Sequence, residues 1–469
     1  MKNILILSAC MLAALCCHAY SPAGTWMGKL NIGKEIRVVF NITEQNGTLS
    51  ATMDSPDQGV KGIGCSQVYV SGDSLYILME SFKSQYTGRF LSDSSISGVM
   101  QQGTKNMNLD IRKVEKIEGP VRKQTPVPPF PYRSEDVIYH NKDKSMQYGA
   151  TITLPDGPGP FPAIVMSTGS GQQNRDEEIE GHKPFAVIAD YLTRRGYIVL
   201  RIDDRGIGQT TGSPETSTTA DHTRDALSGL EYLKGRKETD RKKMGIIGHS
   251  EGGLVAEMAA AQSKDIAFIV SLAGPGINII SLMEEQNGKV LREAGLAQEA
   301  VDAYLPLYNQ VSMIVAHAAT RDEARKEIDM AIKAWKEKAH PNVAFAFGLR
   351  DEASVGKMTD EFTGLYDNPW WRFFIAQEPQ QFIEKLQCKV LALNGEKDIQ
   401  VIPASNLNGF REALARSKSP AYEVKELPGL NHLFQKCKTC KISEYGTLEE
   451  SFSPDALTVI GDWLDKNVK

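Results

Sequence analysis

The stretch from Met244 to Ala261 constrains the fold more than any other part of the chain. Met244 to Ile247 is an apolar run that reads as a buried strand, and Leu254 to Ala261 reads as the helix behind it. Between them, Gly248-His249-Ser250-Glu251-Gly252 matches G-x-S-x-G, a sharp strand-to-helix turn that exposes a serine. Glycine is needed around such a turn because the bend is strained and neighbouring backbone leaves no room for Cβ atoms. Alone, the pattern would occur by chance in roughly one chain in five of this length. Its weight depends on whether the rest of the chain supplies an acid, a base and donors for an oxyanion.

The residues around this turn set the architecture. A hairpin-like pair, Asp136 to Tyr139 and Gly149 to Leu154, leads to the apolar strand Phe161 to Met166. Helix Pro184 to Arg195, strand Tyr197 to Ile202, helix Thr218 to Lys234, the strand–Ser250–helix unit and strand Ala267 to Leu272 follow. Strands alternating with helices predict an α/β fold with a mostly parallel sheet. The alternation stops after Ala273-Gly274-Pro275-Gly276. Helical patterns then cover Leu282 to Ala294, Gln298 to Ala316 and Thr320 to Ala339, where Ile328, Ala331, Ile332 and Trp335 form one apolar face. It resumes with helix Glu378 to Leu386, strand Lys389 to Leu393, helix Ala404 to Arg416, strand Tyr422 to Glu426 and helix Pro454 to Lys466. A helical insertion at about 277–375, between two halves of such a sheet, is expected to act as a lid over its C-terminal edge.

Residues 20–115 follow another grammar. Short β-prone runs such as Glu35 to Ile42, Ser74 to Met79 and Ser84 to Phe90 are separated by turn signals such as Gln45-Asn46-Gly47. A small antiparallel barrel or sandwich is expected there, with no histidine to act as a base and a role in packing or substrate positioning. The proline-rich segment Gln124 to Pro131 marks a linker, placed at 116–133, before an α/β domain over 134–469.

Met1-Lys2-Asn3 followed by the apolar run Ile4 to Leu15, with small residues before Ala19, reads as a secretory signal peptide over 1–19. The run is too short for a membrane span. Cys16 and Cys17 allow a lipid anchor, but Leu15 or Cys16 before the modified cysteine is a poor match, so cleavage near Ala19 and export to the periplasm, cell surface or medium are expected. The remaining cysteines, Cys65, Cys388, Cys437 and Cys440, are even in number. Cys437-Lys438-Thr439-Cys440 lacks a thioredoxin-like context and reads as a local disulfide or a pair of idle thiols. A net charge of −5 gives no electrostatic case for nucleic acid, and no metal or phosphate-loop signature is present.

A serine hydroxyl needs a base to take its proton, and the base needs an acid to set its tautomer. Strand Lys389 to Leu393 ends in Asn394-Gly395-Glu396-Lys397-Asp398, and strand Tyr422 to Glu426 ends in Leu427-Pro428-Gly429-Leu430-Asn431-His432. His432 is the only histidine after Asp398, so the expected triad is Ser250, Asp398 and His432, with Glu396 as an alternative acid. The oxyanion donors are expected to be the N–H groups of Glu251 and Ser170, the latter in the glycine-bearing loop Ser167 to Gly171. His249 is expected to pack beneath the turn, Asp203-Asp204-Arg205 to form a structural ion pair, and the run Gln173 to Glu178 to be solvated. The aromatic cluster Pro369 to Phe374 is expected to be core that can also wall a pocket.

From about Asp136 onward the chain resembles the serine esterases and lipases of the α/β-hydrolase superfamily, and more narrowly secreted bacterial carboxylesterases. The resemblance is carried by Ser167 to Glu177, Asp203 to Gly208, Gly248 to Gly253, Asn394 to Asp398 and Leu430 to Gln435. It implies hydrolysis of a small-molecule ester through an acyl-enzyme, without a cofactor. Such relatives often carry an N-terminal β domain. Where they usually begin the first stretch with His-Gly, this chain has Thr168-Gly169. The superfamily is also similar to serine aminopeptidases, so fold does not separate ester from amide. A peptidase would need a carboxylate for the substrate amine, with Glu177, Glu178 and Glu180 as candidates, and a fold retained for binding alone is a third reading. Oligomeric state is open.

Overall fold

The computed structural model describes residues 20–33, 35–58, 60–80, 83–115 and 122–469. The expected signal peptide, with Cys10, Cys16 and Cys17, lies outside them. The chain divides into two compact units, Met1–Val121 and Arg122–Lys469.

In the first unit ten strands form one antiparallel sheet among the described residues. It runs from Val60–Gly64 at one edge, through Glu35–Gln45, Gly24–Asn31 and Ile111–Val114, to Gln67–Ser71 at the other. Alternation drives it: in Ser74–Met79, Leu75, Ile77 and Met79 are buried while the residues between them face outward. Trp26 is fully buried and donates its indole N–H to the carbonyl of Pro22 at 2.8 Å.

The second unit holds an eight-stranded sheet. Its strands are β1 (Arg133–His140), β2 (Gln147–Leu154), β3 (Phe161–Ser167), β4 (Ile198–Ile202), β5 (Thr239–His249), β6 (Phe268–Leu272), β7 (Lys389–Gly395) and β8 (Tyr422–Leu427). They lie in the order β1-β2-β4-β3-β5-β6-β7-β8, antiparallel at β1 and β2 and parallel from β4 to β8. This is the α/β-hydrolase sheet. Because β3 is flanked by β4 on one side and β5 on the other, the chain turns one way after β3 and the opposite way after β4. Such a reversal opens a crevice at the C-terminal ends of β3 and β5.

Helices α1 (Pro184–Arg194) and α12 (Pro454–Asn467) cover one face, packing Phe185, Leu192, Ile460 and Leu464 on Ile164, Val199, Ile247 and Val270. Helices α2 (Thr219–Gly235), α3 (Glu251–Gln262) and α11 (Pro403–Arg416) cover the other with Leu230, Leu233, Val255, Ala259 and Phe410. With both faces covered, the central strands carry apolar runs where they pair with their neighbours, which is why they stand out in the sequence.

Between β6 and β7 the chain forms α4 (Ile279–Glu293), α5 (Gln298–His317), α6 (Arg321–Lys338), α7 (Pro341–Ala346), α8 (Glu352–Tyr366) and α9 (Pro369–Ile375). The insertion has its own core of Leu307, Val311, Ile328, Ile332, Val355 and Phe374, joined to the sheet domain through Leu254 and Met258 of α3. The apolar face of α6 is buried as expected, and Trp335 donates to the carbonyl of Ala303 at 2.6 Å. A short helix, α10 (Pro379–Ile383), leads back to the sheet.

From Arg122 onward the proline-rich segment is tied to the second unit. The Arg122 guanidinium donates to the carbonyls of Glu180, Gly446 and Leu448, and Gln124 bonds the backbone of Ser451 and Phe452. Cys437 and Cys440 form a disulfide, and Cys65 and Cys388 are free thiols. No helix among the described residues is long and apolar enough to cross a membrane.

Candidate active site

The turn between β5 and α3 holds Ser250 at φ 54° and ψ −120°, a strained conformation for a residue with a Cβ. A Cβ on Gly248 would lie 1.8 Å from the carbonyl oxygen of Gly252, and one on Gly252 would lie 2.1 Å from that of Ser167. These two positions admit only glycine, and their closeness brings the end of β3 against the start of α3. The N–H of Ser250 is held by the carbonyl of Leu272 at 2.8 Å.

Asp398 and His432 approach Ser250 from the ends of β7 and β8. His432 Nδ1 donates to Asp398 Oδ2 at 2.7 Å, and both residues are buried. The other carboxylate oxygen of Asp398 accepts the N–H groups of Gln400 at 2.8 Å and Val401 at 3.0 Å, so the acid is fixed from both sides. Asn431, fully buried, accepts the N–H groups of Leu433 and Gln435 and thereby shapes the base loop. Glu396, the alternative acid, turns away: it accepts the N–H of Gly429 and pairs with Lys397 at the surface.

The two expected oxyanion residues meet through their side chains as well. Ser170 Oγ donates to Glu251 Oε2 at 2.8 Å. The Glu251 carboxylate is buried and also accepts from Thr219 Oγ1 at 2.7 Å and from the Trp370 indole at 2.9 Å. One residue therefore joins the nucleophile turn, the loop after β3, α2 and the insertion.

His249 does more than pack. Its Nδ1 lies 3.0 Å from Glu177 Oε1 and its Nε2 lies 2.9 Å from the backbone carbonyl of His432. Glu177 Oε1 also accepts the N–H of Gly169 at 2.7 Å. Burial alone would pull the His249 ring down, but the Glu177 carboxylate, with the His432 carbonyl, outweighs it and holds the pKa above the ordinary histidine value. Both ring nitrogens face acceptors, an arrangement that a doubly protonated ring satisfies on both sides. The expected solvated run thus contributes its most buried member to a polar core beneath the site.

The other marked residues are structural. Arg175 forms a bidentate pair with Asp203, closing at 2.6 Å, and also reaches Asp136 and Thr151. Arg205 is shared by Asp221 and Asp225. Burial pushes the Asp204 carboxyl up to about 8, against the hydrogen bonds from Thr168 Oγ1 and the N–H of Gln173. His182, buried between Ser451 and the carbonyl of Tyr445, is held down at about 4 mainly by desolvation.

Ser250, His432, Ser170 and Glu251 line one cavity of about 360 Å³. Its walls come from the insertion (Leu282, Met283, Trp370, Phe374) and from the loops after β7 and β8 (Val401, Leu433). Trp370 stacks on Phe374 with ring centroids 5.4 Å apart. The aromatic cluster is both core and pocket wall. No group of side chains suited to a metal ion occurs among the described residues.

Residues 145–423 match the family model described as X-Pro dipeptidyl-peptidase (S15 family), a span that includes Ser250 and Asp398 and ends before His432. The chain is similar to esterase EstD of Thermotoga maritima, 36% identical over 146 residues, which covers 31% of this chain and 34% of EstD. It is also similar to the Bacillus subtilis protein YtaP, 32% identical over 130 residues, covering 24% of this chain and 44% of YtaP. The matches thus span between a third and a half of these relatives' own lengths. Among solved structures, a Pyrococcus furiosus esterase is a distant likeness, with 14% identity and a TM-score of 0.44 over 72% of this chain and 92% of that one.

Proposed function

Taking as premise that the chain belongs to the X-Pro dipeptidyl-peptidase (S15) family of hydrolases, we propose that it is an exported serine carboxylesterase working through an acyl-enzyme. His432 takes the proton of Ser250 as the serine attacks an ester carbonyl, and the N–H groups of Ser170 and Glu251 receive the oxyanion. His432 then passes the proton to the leaving alcohol and activates water for deacylation. Asp398 holds the ring in the right tautomer and stabilises its charged form.

The observation that carries the ester reading is the state of the pocket's carboxylates. A peptidase that trims from the N-terminus needs a free carboxylate for the substrate's α-ammonium group. Glu177 is committed to Gly169 and His249, and Glu251 to Ser170, Thr219 and Trp370. An amine at Glu251 would break bonds that hold Ser170 and the insertion, and the charge of Glu177 already faces the buried His249 ring through Oε1, so neither is set aside for an ammonium group. The apolar wall of Leu282, Met283 and Phe374 suits an acyl chain instead. Export is supported by the leader-like residues 1–19, and the Cys437–Cys440 disulfide suits an oxidising compartment.

The test is a panel of short acyl esters and aminoacyl amides with wild type and Ser250→Ala. Ester turnover and fluorophosphonate labelling are expected in wild type and absent in the variant. Amide turnover without ester preference overturns the esterase reading, and labelling unchanged by Ser250→Ala overturns the nucleophile.

A further inference from the structure

The catalytic cavity has a neighbour that the mechanism leaves unused. A second cavity of about 580 Å³ lies on the other side of Ser170 and Trp370, the residues that line both. Its remaining wall comes from the loop after Ser170, the loop after β4, the start of α2 and the turn before α9. A volume of several hundred Å³ beside a nucleophile is the size of a substrate subsite.

The lining defines what it would hold. Every charged group there already has a partner: Arg205 has Asp221 and Asp225, Asp204 has Thr168 and the N–H of Gln173, Asp367 has Arg321, and Glu215 has Ser213. The side-chain polar groups with no hydrogen bond among the described residues are of another kind. They are the His222 imidazole, the Gln172 carboxamide and the Asn368 Nδ2, whose own carbonyl oxygen accepts the N–H of Trp371. Partnered charges offer little to an ion, while free imidazole and carboxamide groups both donate to and accept from hydroxyls. The indole of Trp370 and the ring of Pro214 add apolar surface between these polar points.

The position decides which half of an ester would enter. The leaving-group oxygen must lie within reach of His432, and His432 lines only the first cavity. The wall between the cavities is Ser170 and Trp370, both bonded to Glu251, so the second cavity lies beyond the oxyanion donors as seen from the base. A group that reaches it extends from the acyl carbon. We propose that the second cavity is a subsite for an uncharged, hydroxyl-bearing part of the acid half of the substrate, making the preferred substrates esters of hydroxylated carboxylic acids. This rests on the esterase reading above.

The test compares pairs of ethyl esters that differ in one distal hydroxyl: hexanoate, octanoate and decanoate against their ω-hydroxy counterparts. Each pair is measured with wild type, His222→Phe and Gln172→Leu, and glyceryl octanoate probes the alcohol half. In wild type at least one ω-hydroxy ester is expected to exceed its parent in kcat/KM by about fivefold, one hydrogen bond's worth. The ratio of each ω-hydroxy ester to its parent, measured with the same variant, is expected to shrink in both variants. Equal rates within all three pairs, or an advantage that survives both variants, overturns the assignment. So does a preference for glyceryl octanoate that both variants abolish, which would move the subsite to the alcohol half. If no ester is turned over by wild type at all, the esterase reading itself has failed, an outcome distinct from equal rates within pairs.

Discussion

Replacing Glu177 with glutamine tests the polar core beneath the nucleophile turn. The change keeps size and removes the charge that faces His249. In wild type the ring nitrogens of His249 lie 3.0 Å from Glu177 and 2.9 Å from the His432 carbonyl, both acceptors. Without the carboxylate, a doubly protonated ring is an unpaired buried cation and must release a proton, after which it can donate to only one side. Removing one partner of a buried ion pair costs about 3–5 kcal/mol. For a cooperative unit the size of Arg122–Lys469, with unfolding entropy near 2.1 cal/mol/K per residue, that corresponds to a fall in Tm of about 4–7 °C. The sign with pH follows from the raised pKa of His249. The pair's contribution is fully present below the ordinary histidine value of about 6.5 and is lost as pH rises through the higher folded value. The melting difference between wild type and Glu177→Gln is therefore expected to be largest at mildly acidic pH and to narrow on the alkaline side. Activity should fall too, because Glu177 orients Gly169 beside Ser170 and His249 holds the carbonyl of His432, the proposed base. Scanning calorimetry from pH 5 to pH 9, with ester hydrolysis alongside, reads both effects. A variant that melts within about 1 °C of wild type throughout would refute the reasoning.

Other outcomes are equally specific. Asp398→Asn should leave the melting temperature close to wild type yet lower kcat by about 10⁴-fold, since the base keeps its place but loses its tautomer; a tenfold loss or less in ester turnover would exclude Asp398 as the acid. Glu257 on α3 is fully buried, has no hydrogen bond to either carboxylate oxygen among the described residues, and is raised well above the usual carboxylate range by burial. A raised carboxyl pKa means stability falls as pH climbs above the unfolded value of about 4.3, so Glu257→Leu should raise Tm at pH 8 more than at pH 5; an equal or negative shift at pH 8 would count against it. Gly252→Ala is expected to yield little soluble protein, because its Cβ would sit 2.1 Å from the Ser167 carbonyl; normal yield and activity would show that the turn can relax.

The features legible in the sequence share a physical cause. Strands β3 to β7 are covered on both faces, so their residues form apolar runs that stand clear of the helices between them. The Asp398–His432 pair is legible because each residue follows such a strand and because one histidine alone remains after Asp398. Elements without that signature were hidden. The first half of β5, Thr239 to Lys243, is polar, since only Thr239 of this part pairs with β3, at Phe161, and hydropathy does not mark it. Helix α7, at six residues, is too short to display a period, whereas α8 carries Val355, Met358, Phe362 and Leu365 at helical spacing and was open to the same reading as α6. Glu177 looks like its neighbours in a charged run, and only the fold shows that it alone is buried against His249. Trp370 announces an aromatic cluster but not the indole bond to Glu251. Polar networks assembled from distant segments leave no periodicity for a sequence to display.

The bonds of Glu251 bear on how this enzyme could be redesigned. Its backbone is proposed to serve the chemistry, while its carboxylate holds Trp370, the wall shared by both cavities. Selectivity and turnover therefore answer to the same residue. A library built at position 251 to widen the pocket should return variants that are slower in proportion as they are broader. Reshaping selectivity at wild-type speed calls for changes farther out on the insertion, at Leu282 or Met283, where the wall has no bond to the nucleophile turn.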